Sequence, residues 1–372
     1  MVKVFDDLIK EVTTPGYCLA CGACVVSCPH ECLAMKGRTP ALKKKCINCG
    51  ICYEECPQVI DQRELERKLF GKRSSDEETS GIYQQAFSAK SKSRDIKARA
   101  QDGGLVTSLL ASLLKDGFID GAIVMGVGPL PWQPSPRIAT TREELITCAG
   151  AKYSRGPIFL GLKDAVDLYY CSRLAIVGLP CQIAASRRMQ LSELTNRHLG
   201  EAIKLHIGLF CGHEFDYEKF FRGVIEKKLK IPLSQVVKFD IRGGRFSIYR
   251  RKKPMHELVL KELDKYTRLP CKVCSDYTAE LADISVGAVG SPLGQSTVLI
   301  RTQAGVDAFD VARKFKDLNV LELEKVKPGI KVVRRVSRKK RLKAARKLEQ
   351  LKARGKTLPI WMQTKPPAPK EK

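Results

Sequence analysis

Helical and strand-like patterns alternate along the middle of the chain. In LVTSLLASLLKDGFID (residues 105–120), apolar residues recur at helical spacing up to a glycine, and GAIVMGVG follows as a short β-branched run. Four more runs predict buried strands: LAIVGLP (174–180), AIKLHIGLF (202–210), ADISVGAVG (282–290) and STVLIRT (296–302). This alternation predicts a mixed α/β fold without giving the order of the strands.

Composition divides the chain into four segments. Residues 1–70 form a small module that holds nine of the 15 cysteines, and the polar stretch GKRSSDEETSG (71–81) is typical of a linker. Residues 82–330 make up the larger α/β domain. Residues 331–372 are a basic tail, in which SRKKRLKAARKLEQLKARGK predicts a helix and PPAPKEK predicts a disordered end.

The overall composition, 44% hydrophobic and 28% charged residues, is that of a globular protein. No apolar stretch approaches the roughly 18 to 20 residues needed to span a bilayer, and the start of the chain does not resemble a secretory signal. We therefore expect a cytoplasmic protein, with peripheral association at the inner face of the membrane as a further option.

The net charge of +26 is unevenly distributed. The last 42 residues hold 16 basic and two acidic side chains and so carry 14 of the 26 net charges. Aromatic residues are not interleaved with these charges apart from Trp361, so nucleic acid is not the expected partner. Three interpretations of the tail stay open: a solvated basic helix, docking to an acidic partner, or docking to anionic lipid headgroups.

The N-terminal cysteines form an internal repeat. YCLACGACVVSCP and KCINCGICYEECP both have the spacing C-x2-C-x2-C-x3-C-P and are offset by 28 residues. This is the bacterial ferredoxin pattern, in which the fourth cysteine of each run ligates the other cluster, and it outweighs a zinc site or a disulfide knot. Two [4Fe-4S] clusters are predicted, one on Cys18, Cys21, Cys24 and Cys56 and one on Cys28, Cys46, Cys49 and Cys52. Cys32 falls outside the pattern and is interpreted as a buried thiol.

Four more cysteines occur in unusual surroundings within the larger domain. Cys181 (GLPCQIAA) and Cys211 (GLFCGHEF) each closely follow a strand-like run, and Cys271 and Cys274 form a C-x2-C pair. The residues alone leave two alternatives: a four-thiolate metal site, or two buried thiols with a separate redox pair. Cys148 and Cys171 lack such context and are interpreted as core residues.

Glycine-rich turns supply candidate cofactor ligands. QDGGLVTSLL places Asp102, Gly103 and Gly104 just before a helix, where free backbone N–H groups favour a phosphate, although such a pair is also common in a plain cap and turn. No dinucleotide-binding G-x-G-x-x-G lies between a strand and a helix. CAGAKYSRGP and ISVGAVGSPLG add further candidates: Lys152, Tyr153, Ser154, Gly290 and Ser291.

In combination these motifs resemble the beta subunits of coenzyme F420-reducing hydrogenases and their relatives in F420H2 dehydrogenases and F420-linked formate dehydrogenases. The resemblance covers roughly residues 15–330 and rests on segments in the family's order: QDGGLVTSLL, CAGAKYSRGP, VGLPCQIAA, IGLFCGHEFDYEKF, CKVCSDYTAELADISVGAVGSP and TVLIRT. The N-terminal ferredoxin module is similar to that of the dehydrogenase-type members.

The resemblance implies an FAD-containing oxidoreductase that exchanges a hydride with the deazaflavin F420. It implies a third [4Fe-4S] cluster, near the flavin, on Cys181, Cys211, Cys271 and Cys274. It also implies an FAD site on Gln101, Asp102, Gly103, Gly104, Thr107, Lys152, Tyr153 and Ser154, with Gly290 and Ser291 beside them. Lys152 or Arg155 is expected to offset negative charge at the flavin or at F420, the alternative being a solvated basic residue.

Iron–sulfur clusters accept one electron at a time, so an intermediary such as FAD is needed between a hydride donor and the clusters. No general acid or base is expected on the protein. The expected partners are redox subunits of the hydrogenase, formate dehydrogenase, F420H2 dehydrogenase or heterodisulfide reductase type. The alternative function is a non-catalytic iron–sulfur electron-transfer adaptor that lacks a deazaflavin site.

Overall fold

The structure, a computed structural model, describes residues 2–75, 77–192, 197–251 and 253–363. Its fold is mixed α/β, as the alternation of patterns predicts. Among the described residues, no helix combines the length and the hydropathy required to cross a lipid bilayer. The predicted disordered end of the tail lies outside the described residues.

The helices are α1 (Phe5–Leu8), α2 (Ala23–Val26), α3 (Ile51–Glu54), α4 (Gln62–Phe70), α5 (Arg94–Arg99), α6 (Leu105–Asp116), α7 (Arg142–Thr147), α8 (Leu160–Asp167), α9 (Pro180–Gln190), α10 (Arg197–Ala202), α11 (Leu269–Lys272), α12 (Gln303–Lys314), α13 (Ile330–Ala353) and α14 (Ile360–Gln363). Wider π-type segments cover Ile9–Thr13 and Tyr217–Lys228, and 3-10 segments cover Leu233–Gln235, Leu260–Tyr266 and Leu323–Lys325.

The strands are β1 (Leu33–Lys36), β2 (Thr39–Leu42), β3 (Gln85–Ser91), β4 (Gly121–Val127), β5 (Pro134–Ala139), β6 (Leu174–Gly178), β7 (Ile203–Leu209), β8 (Lys238–Arg242), β9 (Arg245–Tyr249), β10 (Pro254–Val259), β11 (Ile284–Gly287), β12 (Ser296–Ile300) and β13 (Leu318–Glu322). The predicted helix and five predicted strands are confirmed as α6, β4, β6, β7, β11 and β12. The sequence patterns did not predict β3, β13 or the small sheet β8–β10.

The large sheet has eight strands in the order β13-β3-β12-β11-β7-β6-β4-β5. Its central neighbours β11, β7, β6 and β4 are parallel, whereas β12, β3, β13 and β5 pair antiparallel to their neighbours. The carboxyl ends of the four parallel strands therefore meet at one edge. Since β12 is antiparallel, it begins at the same edge.

Two hydrophobic layers cover the large sheet, one on each face. Ile123 of β4 and Ile176 of β6 pack with residues of α8 and α9, whereas Val124 and Val177, one position on, pack with residues of α6 and α12. Successive side chains on a strand point to opposite faces, and both faces here are covered, which explains the nearly continuous apolar runs in the sequence.

Two smaller units join the large sheet. The antiparallel sheet β10-β9-β8 packs with the π-type segment Tyr217–Lys228 around a cluster of phenylalanines. The N-terminal module contains the β1–β2 hairpin and two short helices, α2 and α3, each starting at a glycine with positive φ (Gly22 and Gly50). These helices begin inside the two cysteine runs, so each run wraps around a helix start.

Helix α13 lies across the molecule with one face covered. Val333, Ser337, Ala344 and Leu351 are buried, and their spacings of four and seven residues place them on one face of the helix. Val333 lies next to the turn that contains Gly290. Leu351 packs in the hydrophobic core of the N-terminal module. Tyr17 of that module donates a hydrogen bond from Oη to Thr357 O, just after α13, at 2.7 Å. The interpretation of this segment as a fully solvated helix is wrong, because a solvated helix has no buried face.

A buried polar network links α9, β7 and the turn before β11. His206 Nε2 lies 2.9 Å from Ser186 Oγ, and His206 Nδ1 lies 3.2 Å from Asp283 Oδ2, which is the bonding order of a hydrolase triad. Ser186 and His206 are both 0% exposed, and Asp283 also pairs with Arg187 at 2.6 Å. The network is structural, since no substrate reaches the serine.

This network makes stability depend on pH. Burial, and to a smaller extent the nearby Arg187 charge, lowers the pKa of His206 to about 4. At a pH between this value and the pKa of an ordinary histidine, the unfolded chain therefore binds a proton on His206 that the folded chain does not. Stability is therefore lost as pH falls from about 6.5 towards 4. Between pH 7.5 and 5 the free energy of unfolding should fall by roughly 2 kcal/mol more in the wild type than in His206→Gln, measured by urea unfolding. Parallel pH profiles for the two proteins would contradict this.

Candidate functional site

Cys181 and Cys211 lie at the edge where the parallel strands end. Cys181 follows β6 in the first turn of α9, whose first residue is Pro180, and Cys211 comes shortly after β7. Because β6 and β7 are neighbours in the sheet, the two cysteines are brought to the same place. Ligands bind at this kind of edge in open α/β sheets.

The C-x2-C pair faces the same place. Cys271 lies in the short helix α11 and Cys274 in the turn after it, and the four cysteines Cys181, Cys211, Cys271 and Cys274 together line one cavity of about 380 Å³. Among the described residues, no three cysteine, histidine or carboxylate side chains are grouped so that they could hold a single metal ion. The four-thiolate site and the alternative of two buried thiols with a separate redox pair therefore both stay predictions.

A buried ion pair organises the wall of this cavity. Arg155 Nη2 lies 3.3 Å from Glu214 Oε2, and both side chains are almost fully buried. The same nitrogen donates to Cys271 Sγ at 2.9 Å, while Arg155 Nη1 donates to Leu19 O, between the first two cysteines of the N-terminal module, at 2.9 Å. The Arg155 side chain thus joins the large domain to the N-terminal module.

The charges at this wall act on one another. Burial raises the pKa of Glu214, but the guanidinium groups of Arg155 and Arg38 outweigh it, so the pKa lies below its usual value. Arg38 comes from the turn between β1 and β2 and donates to Glu214 Oε1 at 2.8 Å. The carboxylate is therefore held in place by cations from both domains. The interpretation of Arg155 as a solvated residue is wrong.

Helix α13 supplies the opposite wall. Lys340 Nζ donates to Cys211 O and Asp276 O, each at 2.6 Å, and Arg341 donates to both carboxylate oxygens of Glu280 at 2.9 Å. Burial lowers the pKa of Lys340, but the neighbouring Cys274, Cys211 and Asp276 raise it more, so the net pKa is raised and the ammonium stays charged. Sequence reasoning missed Lys340, although the recurrence of small or apolar residues at 333, 337, 344, 348 and 351 was a signal for a buried face.

The N-terminal cysteines fall into two groups. A second, smaller cavity is lined by one group, which consists of Cys18, Cys21, Cys24 and Cys56. In the other, burial raises the pKa of Cys52 to about 12, with further contributions from its neighbours Cys46, Cys49 and Cys28. These are the two sets that the ferredoxin spacing predicts; their role as ligands stays a prediction.

The residues of the QDGG turn lie beside the small sheet. Gln101 Nε2 donates to Phe239 O and to Asp240 Oδ1, both at 3.1 Å, and lies 3.4 Å from Tyr153 Oη. Asp102 pairs with Arg242 and Lys238 Nζ donates to Gln101 O, two cations that sequence reasoning missed. Gly104, with φ of +71°, begins α6 without a side-chain cap.

The other predicted flavin residues occupy nearby positions. Gly103 packs against Ser296 at the start of β12, and Ser291 Oγ lies 2.8 Å from Thr297 Oγ1, so both turns reach the same sheet edge. Thr107 is buried in α6. None of the predicted flavin residues lines the four-cysteine cavity.

Lys152 and Ser154 are both buried. Lys152 Nζ donates to carbonyl oxygens of its own loop, among them Gly150 O at 2.8 Å, and burial lowers its pKa to about 8. The hydroxyl of Ser154 has no hydrogen-bond partner within the described part of the chain. A solvated role for Lys152 is therefore also wrong.

The remaining cysteines differ in burial. Cys32 and Cys171 are 2% and 5% exposed, and Cys32 Sγ donates to Lys45 O at 3.2 Å. Cys148 is only partly buried, at the margin of the hydrophobic layer that contains α6.

Comparisons with known proteins bear on the larger domain. The family model for the N-terminal part of the coenzyme F420 hydrogenase/dehydrogenase beta subunit matches residues 86–163, and the model for its C terminus matches residues 171–326. The coenzyme F420 hydrogenase subunit beta of Methanothermobacter thermautotrophicus is 39% identical over 279 residues, which are 75% of this chain and 99% of that protein. The chain belongs to the family of coenzyme F420 hydrogenase/dehydrogenase beta subunits. It is an oxidoreductase subunit.

Other family members differ in how much of the chain they match. A subunit of the F420H2 dehydrogenase of Methanosarcina mazei is 32% identical over 350 residues, 90% of this chain and 92% of that protein. A chain of the F420-reducing [NiFe] hydrogenase complex from Methanosarcina barkeri superposes with a TM-score of 0.72 at 35% identity, covering 76% of this chain and 97% of that chain. The family models do not extend over the cysteine repeat or α13.

The Arg155–Glu214 pair gives a stability prediction. Arg155→Met leaves the Glu214 carboxylate buried with Arg38 as its ion-pair partner among the described residues, so the free energy of unfolding should fall by about 3 kcal/mol. The double variant Arg155→Met/Glu214→Gln removes the uncompensated charge and should recover part of the loss. Urea unfolding of the wild type, both single variants and the double variant measures the coupling; purely additive effects would contradict it.

Proposed function

We propose that this chain is an iron–sulfur flavoprotein subunit that exchanges a hydride with coenzyme F420, either oxidising F420H2 or reducing F420. Bound FAD would convert between the two-electron hydride and single electrons, which [4Fe-4S] clusters relay to a partner redox subunit. The observation that carries the proposal is the convergence of Cys181, Cys211, Cys271 and Cys274 on one cavity in a member of this family.

The arrangement of cysteines supports an order for the relay. Leu19 and Pro57 line both the four-cysteine cavity and the smaller cavity of Cys18, Cys21, Cys24 and Cys56, so the two sites share a wall. Cys52 of the other N-terminal group lies close enough to Cys24 to raise its pKa, after the larger effects of burial and nearer thiols. The proposed order is the large-domain cluster, the Cys18 cluster and then the Cys49 cluster.

The residues near the QDGG turn suit the phosphates of FAD. The start of α6 has no side-chain cap and leaves backbone N–H groups for an anion, and the Lys238 ammonium lies beside it. The charge of Arg242 is already offset by its ion pairs with Asp102 and Asp240. The Ser154 hydroxyl, buried without a partner in the described residues, offers one more donor. These residues would hold the cofactor, and no general base is needed from the protein.

The first test is anaerobic. The reconstituted protein is mixed with chemically reduced F420 and a viologen acceptor, the deazaflavin absorbance is followed, and NADH serves as the control donor. We expect oxidation of F420H2 only when FAD is bound, and none of NADH. Intact clusters without bound FAD would instead favour the electron-transfer adaptor, and turnover of NADH would overturn the assignment of the substrate.

Removal of one cavity thiol tests the large-domain cluster. Cys274→Ala should lower the iron content by about one third, because one of three [4Fe-4S] clusters is lost. F420H2 should still reduce the flavin, while reduction of the N-terminal clusters slows at least about 100-fold, as followed by rapid-freeze EPR. The matched control is Cys171→Ala, which removes a buried thiol outside the proposed ligand set. Unchanged iron in Cys274→Ala would defeat the assignment.

Lys340 provides a second test of the same cluster. A buried ammonium that contacts the Cys211 carbonyl favours the more negative, reduced state of a neighbouring cluster. Lys340→Met should therefore lower the reduction potential of this cluster by about 59 mV. For a one-electron couple, that shift lowers the ratio of reduced to oxidised cluster about tenfold at a fixed potential. EPR-monitored redox titration measures the shift, and Lys339→Met, at an exposed neighbouring lysine, is the control. An unchanged potential with full iron content would contradict the effect.

A further inference from the structure

The Cys49 end of the N-terminal module is open to solvent. Cys49 is exposed, whereas Cys21 and Cys52 are buried and the other cysteines of the two N-terminal groups are partly buried. Electrons pass efficiently only over short distances, so a partner that receives them must dock next to the exposed end of the relay. The side chains around Cys49 therefore bear on the choice of partner.

Exposed apolar side chains occur in and next to the segment that carries Cys49. Val2 is 71% exposed, Ile47 57% and Leu42 49%. An added Cβ on Gly50 would lie 2.5 Å from Val2 Cγ1, so the start of the chain packs directly beside the second cysteine run. Exposed apolar groups that are grouped in this way are typical of a protein–protein contact.

Three consecutive lysines, Lys43, Lys44 and Lys45, border the apolar group and are all exposed. None of them has an ion-pair partner within 4 Å among the residues that the structure describes. Glu31, an acidic side chain that the charges of Lys43 and Lys44 influence, is itself paired with Lys163. Two hydrogen bonds to Cys32 hold the backbone of these lysines in place. Lys43 N donates to Cys32 O at 2.9 Å, and Cys32 Sγ donates to Lys45 O.

We infer that Val2, Leu42, Lys43, Lys44, Lys45 and Ile47 form the docking surface for an acidic one-electron redox protein, which exchanges electrons with the cluster at Cys49. The inference rests on the proposed function for the presence of that cluster. An apolar centre bordered by unpaired lysines fits a partner with an apolar contact and a carboxylate border, because the like charges on this chain repel basic partners and accelerate encounter with acidic ones.

The test measures electron transfer without F420 or FAD. Reduced plant-type [2Fe-2S] ferredoxin, an acidic carrier, is mixed with the oxidised full-length protein, and cluster reduction is followed by stopped-flow absorbance at low and high salt. Lys43→Glu/Lys44→Glu/Lys45→Glu should lower the second-order rate constant at least about tenfold at low salt, and the difference should disappear at high salt. The corresponding triple glutamine variant should show a smaller loss.

The matched control makes the same change of charge elsewhere. Lys227→Glu/Lys228→Glu/Lys230→Glu alters three exposed lysines at and just after the C-terminal end of the π-type segment Tyr217–Lys228 and should leave the rate within about twofold. When the protein is first reduced with dithionite and freed of excess reductant, cytochrome c, a basic acceptor, should be reduced faster by the Lys43–45 glutamate variant than by the wild type.

Three results would overturn the inference, and they are distinguishable. Equal rates for the Lys43–45 glutamate variant and the wild type, with full iron in both, would overturn the docking surface alone. Absence of iron from the two N-terminal cysteine groups in the wild type would overturn the docking surface together with the proposed relay. An equal loss of rate in the control variant would show a general charge effect and would also exclude a local surface.

Discussion

The buried contact between Arg155 and Glu214 connects the parts of this molecule. The Arg155 guanidinium pairs with the Glu214 carboxylate and donates hydrogen bonds to Cys271 Sγ and to Leu19 O in the first cysteine run. The Glu214 carboxylate also accepts a hydrogen bond from Arg38 of the N-terminal hairpin. An ion pair so deeply buried persists only where additional hydrogen bonds satisfy it. The two domains must therefore sit correctly for the pair to exist, so the distance between their cysteine sites is set by the same interaction.

Much of the architecture could be predicted from local patterns. The apolar runs that became β6 and β7 were readable because strands covered on both faces are almost continuously hydrophobic, and the position of Cys181 and Cys211 after them indicated the functional edge. The small sheet was missed because charged or polar residues interrupt the apolar ones in β8 (KFDIR) and β9 (RFSIY). Strand β10, with Pro254 and mostly exposed side chains, lacks a buried run. The strand order depends on contacts between distant segments, which no local pattern carries.

The basic tail shows a different limit. Its lysines and arginines dominate the composition, so the sequence favours a solvated helix, yet a face of Val333, Ser337, Ala344 and Leu351 is buried. A small residue or a serine contributes little to a hydrophobic pattern even when it faces a core. Lys340 could not be predicted to line the cavity, because the carbonyl groups that accept from it belong to residues far away in the sequence. Long basic side chains can cover a core with their stems while their charges reach polar partners.

The position of α13 also has a consequence for assembly. In chain order α13 follows every cysteine of the three groups, and it forms one wall of the four-cysteine cavity through Lys340 and Arg341. During synthesis, the thiols at the sheet edge can thus be folded and accessible before this wall is in place. On the proposed function, a cluster inserted at that stage would be covered from solvent when α13 packs over the cavity.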